Sequence, residues 1–394
     1  MPRIHYDFLV PPKTVFGWGR RREVGALARD LGRRAFVVCG AGRLAADGVI
    51  DELLAALRAA GVEPIRLAEI HREPVIGDVD RAAAALMAHE AGDGDFVLTI
   101  GGGSAIDLGK AAAAMATNGS GASVRDFLEG VGRGLKIERS PLAVLAMPTT
   151  GGTGSEATKN AVISSRDPPF KKSLRSEQMI PRVVLVDPEL SVTVPPDVTA
   201  QTGMDAITQL IESTISRRAQ PIPRALAVHG LELALPAIVE AVENGESRSA
   251  REAMAHAALL SGMALANSGL GMAHGVAAAL GVLCNVPHGL ACAVMLPTAL
   301  RANRDVAVAE LAMLERAVSR GAVPPADDAE AADKFIDRIV QICWAVGIPN
   351  RLSALNVRAE QISALVAESR GNSMSGNPRE IPDDELERLL EGML

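Results

Sequence analysis

Past Pro195 and Pro196 the hydrophobic pattern of this chain changes its period, and no other feature constrains the fold as strongly. Upstream, short apolar runs of strand length end in glycine and give way to helical spacing. The run 35–39 (AFVVC) stops at Gly40, and 45–60 then sets Val49, Leu53, Leu54 and Leu57 on one helical face. Residues 62–67 read as a strand, 78–91 as a helix, and 96–100 as a buried strand running into glycines. Further strands are expected at 144–147 and at 183–186, the latter closing on Asp187 and Pro188. Strands that alternate with helices in this way predict a parallel sheet covered on both faces. Downstream, from about Thr202, long Ala- and Leu-rich segments keep helical periodicity and strands become scarce. We therefore expect an α/β domain over residues 1–190 and an all-α domain over 191–394, with a loop at 321–331 around Pro324 and Pro325.

Charge and cysteine usage narrow the function classes. The formal charge is −7, and no Lys/Arg-rich run of five or more appears, which argues against nucleic acid or an anionic membrane as partner. Cys39, Cys284, Cys292 and Cys343 lie far apart without a CxxC pair, as suits free thiols in a reducing compartment. His5, Tyr6 and Asp7 stand where a signal peptide would carry its apolar core, and each apolar stretch reads as interrupted before membrane-span length. A cytoplasmic protein is expected.

Two glycine- and hydroxyl-rich loops carry the first chemical signal. GGGSAIDLGK (101–110) follows the 96–100 strand and opens a helix whose expected N-cap is Ser104. Glycines let backbone approach a pyrophosphate, and a helix N-terminus offers N–H donors and a favourable dipole. Gly101, Gly102, Gly103 and Ser104 are the candidate contacts. Asp107, in the first turns with Lys110, either holds the loop or meets the ligand. Taken alone, the segment reads equally as a tight strand-to-helix turn. It gains weight from PTTGGTGSEATKN (148–160), where Thr149, Thr150, Thr153 and Ser155 can donate to phosphate, ribose or nicotinamide groups.

The helical half carries the second signal. In TGMDAITQLIES (202–213), Asp205 and Gln209 are spaced i and i+4, so both project from one helical face. AHGVAAALGVLCNVPHG (273–289) adds His274 and His288, each within an apolar stretch. Together they make a divalent-metal set able to polarise a substrate oxygen. Individually, each histidine reads as readily as a hydrogen-bonded core residue, and Asp205 as a capping or ion-paired carboxylate.

These segments together resemble the iron-containing (group III) alcohol dehydrogenases, within the dehydroquinate synthase-like fold. The resemblance runs through VFGWG (15–19), GGGSAIDLGK, PTTGGTGSEAT, LVDPEL (185–190), TGMDA, NSGLGMAHG, NVPHG and NPRE (377–380). It implies that both loops bind NAD or NADP, and that cofactor and metal lie in a cleft between the domains. It implies an iron or zinc site at Asp205, His274 and His288, with Gln209 where the family usually has a histidine. Ala278 stands where the family commonly has a further histidine near the substrate. Lys172 aligns with a lysine common after the second loop, implying a supporting catalytic or cofactor role, against the plainer reading of an exposed charge in 171–175. Gly40 occupies the position of an aspartate in many NAD-preferring relatives, and Arg43 follows it, so NADP(H) should be accepted.

The implied activity is hydride transfer between a nicotinamide and a small alcohol, aldehyde or ketone. The substrate oxygen is polarised by a metal or hydrogen-bonded by the two histidines, and the implied assembly is a homodimer. A nucleotide-binding sensor and a carbon-oxygen lyase of the dehydroquinate synthase type are the alternatives.

Overall fold

The computed structural model describes residues 5–40, 42–319 and 327–394. Among them the chain divides into two compact units. One comprises Leu9–Thr150 with Gly154–Thr193; the other comprises Gly151–Thr153 and Val194–Leu394 with the N-terminal residues up to Phe8.

The first unit runs β1 (Lys13–Phe16), α1 (Val24–Arg29), β2 (Arg34–Cys39), α2 (Gly42–Ala46), α3 (Val49–Ala59), β3 (Glu63–Glu69), α4 (Ile76–Ala88), β4 (Asp95–Gly101), α5 (Gly103–Asn118), β5 (Ala143–Pro148), β6 (Asn160–Arg166), β7 (Pro169–Arg175) and β8 (Val183–Val186). Six strands form a parallel sheet in the order β1-β8-β5-β4-β2-β3. Alternation along the strands divides the core between the two faces. Ala35, Val37, Phe96, Leu98 and Ile100 pack on the side of α1 and α3, whereas Phe36, Val38 and Val97 pack on the side of α4 and α5. Phe36 and Phe96 are fully buried on opposite faces, each worth about 1.5–3 kcal/mol in transfer free energy. This two-sided burial is why the strands read as continuous apolar runs.

Three features depart from the sequence reading. The helix expected at 45–60 breaks into α2 and α3, because Gly48 adopts φ 77° between them. Strand β1 was not expected; it is a four-residue edge strand paired to β8. The antiparallel hairpin β6–β7 was also not expected, since its polar residues hide the apolar face formed by Ala161, Ile163, Phe170 and Leu174.

The second unit is helical: α6 (Pro196–Ile215), α7 (Pro221–Glu243), α8 (Arg248–Ala266), α9 (Met272–Cys284), α10 (His288–Asn303), α11 (Val308–Val318), α12 (Asp328–Ala345), α13 (Ile362–Glu368) and α14 (Asp383–Glu391). Of the loop expected at 321–331, residues 321–326 lie outside the described residues. The rest opens α12, whose N-terminus is capped by the Asp327 side chain accepting from the Glu330 amide at 2.7 Å. By length and composition α7 is apolar enough to cross a membrane, contrary to the expectation of interrupted stretches. It carries Arg224, His229 and Glu232, however, and packs against α6 and α8 in the helical core.

Candidate active site and nucleotide loop

Strand order reverses direction at β2 and β4, and such a switch point opens a crevice at the C-terminal strand ends. Gly40 ends β2 there, and its amide donates to the Ile100 carbonyl at 2.9 Å. Gly101 ends β4, and its carbonyl accepts from the Thr149 amide at 3.0 Å, which ties the two glycine-rich loops together. Neither glycine has room for a side chain. A Cβ on Gly40 would lie 2.9 Å from the Ala105 Cβ and 3.0 Å from the Ile70 carbonyl, and one on Gly101 would lie 2.7 Å from the Ala105 Cβ.

Helix α5 begins at Gly103 with Gly102 as its N-cap, two residues earlier than expected, so Ser104 sits inside the first turn rather than capping it. Gly102 is extended (φ −74°, ψ −173°) and no side chain caps this end of the helix. The first-turn amides of Gly103 and Ser104 thus lie at a helix end without a side-chain cap, where backbone N–H groups can donate to an anion. Thr150 lies beside it, with its Oγ1 3.4 Å from where a Gly102 Cβ would stand.

Asp107 and Lys110, three residues apart, are both buried and serve the second loop. Lys110 Nζ donates to the Ser155 carbonyl at 2.7 Å, to the Thr158 hydroxyl at 2.9 Å and to the Asn160 carbonyl. Asp107 accepts from the Val162 amide at 3.0 Å and lies 3.5 Å from Lys110 Nζ. Of the two readings offered for Asp107, its contacts are those of a residue that holds the loop. Burial pushes the Lys110 ammonium down and the Asp107 carboxyl up, against their mutual attraction. The adjacent Glu156 carboxyl is driven by burial up to about 7.

Lys172 lies on β7 opposite Ile163, on the same face as buried Phe170 and Leu174, and is half-buried rather than an exposed charge. Arg43 is exposed on α2 and pairs with Asp47 at 3.2 Å. Of the four hydroxyl residues in the second loop, Thr149, Thr150 and Ser155 belong to the sheet unit, while Thr153 groups with the helices.

In the helical unit the dispersed polar residues converge. Asp205, His274, His288 and Cys292 each offer one donor atom, and all four atoms lie within 4.8 Å of one another. Asp205 Oδ1 stands 3.3 Å from His274 Nε2 and 3.9 Å from His288 Nε2. The far nitrogen of His274, Nδ1, meets Glu212 at 2.7 Å. Glu212 also accepts from the Gly271 and Ala273 amides, at 2.9 and 2.7 Å, at the start of α9. A carboxylate on one imidazole nitrogen fixes the ring so that the other aims into the donor cluster, an arrangement characteristic of metal-binding histidines. Burial works against a charged His274, yet the neighbouring Cys292 sulfur together with the Asp205 and Glu212 carboxylates holds its pKa well above the usual value. Burial likewise opposes ionised Asp205, but hydrogen bonds from His274 and Gln209 and the nearby His288 hold its carboxyl below the ordinary range. The Cys292 thiol is pushed by burial up to about 11.

Gln209 sits differently from the expectation of a ligand. Its carbonyl oxygen accepts from Ser261 at 2.8 Å, and its amide nitrogen donates to the Thr153 carbonyl at 3.3 Å and hydrogen-bonds Asp205. The donor end therefore faces the cluster, and the only atom able to hold a cation faces away. Glu212 and Cys292 escaped the sequence reading. Their signals were spacing: Glu212 lies two turns beyond Asp205 on α6, and Cys292 lies one turn beyond His288 on α10.

Comparison with known proteins agrees along the whole chain. Residues 11–188 match the family model described as iron-containing alcohol dehydrogenase, and residues 199–394 match that of the Fe-containing alcohol dehydrogenase family, C-terminal. The chain is 33% identical over 390 residues to the 1,3-propanediol dehydrogenase of Klebsiella pneumoniae, covering 98% of each. It is 29% identical over 389 residues to the NAD-dependent methanol dehydrogenase of Bacillus methanolicus, covering 98% of this chain and all of that one. Among solved structures, a 1,3-propanediol oxidoreductase superposes with a TM-score of 0.92 at 30% identity, covering 99% of this chain and 100% of that one.

Proposed function

The chain belongs to the iron-containing alcohol dehydrogenase family, and from that premise we propose that it interconverts a short alcohol with its aldehyde or ketone. Residues 1–190 would bind NAD(H), and NADP(H) as well, while 191–394 would hold a divalent ion and the substrate oxygen. The observation that carries this reading is the convergence of four donor atoms within 4.8 Å around an imidazole already oriented by Glu212.

When bound, the nicotinamide supplies or accepts the hydride and the divalent ion acts as a Lewis acid on the substrate oxygen. The protein's part is positioning. First-turn amides of Gly103 and Ser104 receive the pyrophosphate, Gly102 lets it approach, and Thr149 and Thr150 donate hydroxyls beside it. Lys110 and Asp107 keep the second loop in place without touching ligand. Asp205, His274 and His288 hold the ion. The His288 side chain is 31% exposed, against 2–3% for Asp205 and His274, so the substrate approaches the cluster from the His288 side. Ala278, where the family commonly has a further histidine, offers no proton to the substrate oxygen. Lys172, half-buried on β7, supports cofactor or substrate. The short-alcohol preference rests on the likeness to a propanediol and a methanol dehydrogenase. A cytoplasmic homodimer completes the reading, supported by four free thiols and by the family.

The test is turnover of NADH and NADPH with a panel of short aldehydes, ketones and oxoacids, using metal-stripped protein and protein reconstituted with iron or zinc. Metal-dependent nucleotide oxidation with an aldehyde is expected. Tight nucleotide binding without turnover of any carbonyl compound would favour a sensor. Product formed from a sugar phosphate without net nucleotide oxidation would favour a lyase.

A further inference from the structure

Gln209 leaves the cluster one donor short of the Asp-plus-three-His set that the resemblance implies, and a different side chain stands close enough to complete it. Cys292 Sγ lies 3.7 Å from His288 Nε2 and within 4.8 Å of the Asp205 and His274 donor atoms. We propose that Cys292 is the fourth protein ligand, a thiolate, so that this chain carries an Asp–His–His–Cys site that retains zinc in preference to iron. This rests on the metal-binding reading of the cluster.

Three of the six donor–donor distances match it directly, and the other three lie within 4.8 Å. A tetrahedral zinc ion with ordinary bond lengths holds a nitrogen and an oxygen ligand about 3.4 Å apart and a nitrogen and a sulfur about 3.6 Å apart. The protein shows 3.3 Å for Asp205 Oδ1 to His274 Nε2, 3.9 Å for Asp205 Oδ1 to His288 Nε2, and 3.7 Å for His288 Nε2 to Cys292 Sγ. Along these three edges the donors already stand at about the spacing of one coordination sphere. Backbone fixes two of them together, because His288 and Cys292 are one turn apart on α10 and project to the same side. Cys292 is fully buried, and Glu212 aims His274 from the opposite flank. Gln209 has a different duty, since its N–H groups point to Asp205 and Thr153. A soft sulfur donor shifts a nitrogen-oxygen set toward zinc. As the ion enters, the Cys292 thiol proton leaves to solvent and the sulfur lone pair forms the new bond.

The experiment is cobalt and zinc loading of the metal-stripped full chain, as wild type and as Cys292→Ser. Wild type should take up one equivalent of cobalt with a thiolate-to-cobalt charge-transfer band in the near ultraviolet. In Cys292→Ser that band should vanish, and zinc retention through dialysis should fall more than about tenfold. Zinc-edge X-ray absorption of the wild type, which does not depend on the variant folding, should show one sulfur at about 2.3 Å. Stoichiometric cobalt without the band, or a zinc shell of nitrogen and oxygen alone, overturns the thiolate ligand while leaving the metal site standing. A wild type that binds none of cobalt, zinc or iron overturns the metal site itself, and this inference with it.

Discussion

Replacing Glu212 with glutamine tests how the site is scaffolded, because shape is kept while one acceptor becomes a donor. The carboxylate accepts three hydrogen bonds: from Gly271 N and His274 Nδ1 on one oxygen and from Ala273 N on the other. A glutamine has a single acceptor oxygen, so at least one of these donors must face an NH2 group in a site where Glu212 is only 2% exposed. Leaving such a buried donor unpaired costs about 1–3 kcal/mol. The lost negative charge also stood at the N-terminus of α9 (Met272–Cys284), an interaction worth about 0.3–2 kcal/mol. We therefore expect Glu212→Gln to lose about 2–4 kcal/mol of stability in the metal-free protein. For a unit of this size each kcal/mol moves Tm by about 2–4 °C, so the melt should fall by roughly 4–16 °C. Zinc affinity should drop about 10- to 100-fold, because His274 is no longer held in its binding orientation. Calorimetric melts of chelator-treated protein and competition titrations against a chromophoric chelator read the two effects separately. Unchanged Tm together with unchanged zinc affinity would refute the claim that this carboxylate builds the site.

Other expectations follow from the sheet unit. Glu156, whose carboxyl is raised from 4.5 to about 7, keeps its proton in the folded chain where the unfolded chain has lost it. Stability should therefore fall as pH rises from about 4.5 to about 7 and level off above, by roughly 3 kcal/mol; Glu156→Gln should flatten that slope in urea titrations, and an unaltered slope would rule the residue out. Gly102→Val should fold, since Gly102 is extended and its Cβ meets Thr150 only at ordinary contact distance, yet NADH affinity should weaken at least about tenfold, equivalent to about 1.4 kcal/mol; unchanged binding by fluorescence titration would make the loop structural. Catalytic efficiency with NADPH should lie within about a hundredfold of that with NADH, and Arg43→Ala should lower the NADPH value more; a larger deficit in the wild type would mean that a 2′-phosphate is rejected despite Gly40.

What the sequence disclosed and what it concealed have different physical causes. The central strands were readable because burial on both faces leaves continuous apolar runs such as 35–39 and 96–100. Strand β1 and the β6–β7 hairpin were not, because an edge strand and a half-covered hairpin carry polar residues on one side. Asp205, His274 and His288 drew notice as polar groups in apolar helices. Cys292, within LACAVML, looked like a small core residue, as a buried cysteine usually is. Glu212 was hidden for another reason: its partners are backbone amides and an imidazole on α9, about sixty residues away, and no local pattern announces a contact made to backbone. The cap of α5 falls at Gly102 rather than Ser104 because this helix end has no side-chain cap at all, so the capping preference of serine is no guide to it.

The packing beneath Gly40 has an evolutionary reading. A lineage that holds glycine here could not place an acidic side chain at this strand end by one substitution without a shift, because its Cβ runs into the Ala105 methyl and the Ile70 carbonyl. Ala105→Gly would open one of those walls, but the other is main chain and cannot be trimmed. On the proposed nucleotide-binding reading, preference at this residue would be inherited together with the helix-to-sheet contact under it, as a historical lock. On that reading, adaptation to a changed supply of NADH or NADPH would run through exposed neighbours such as Arg43, whose side chain lies outside the core.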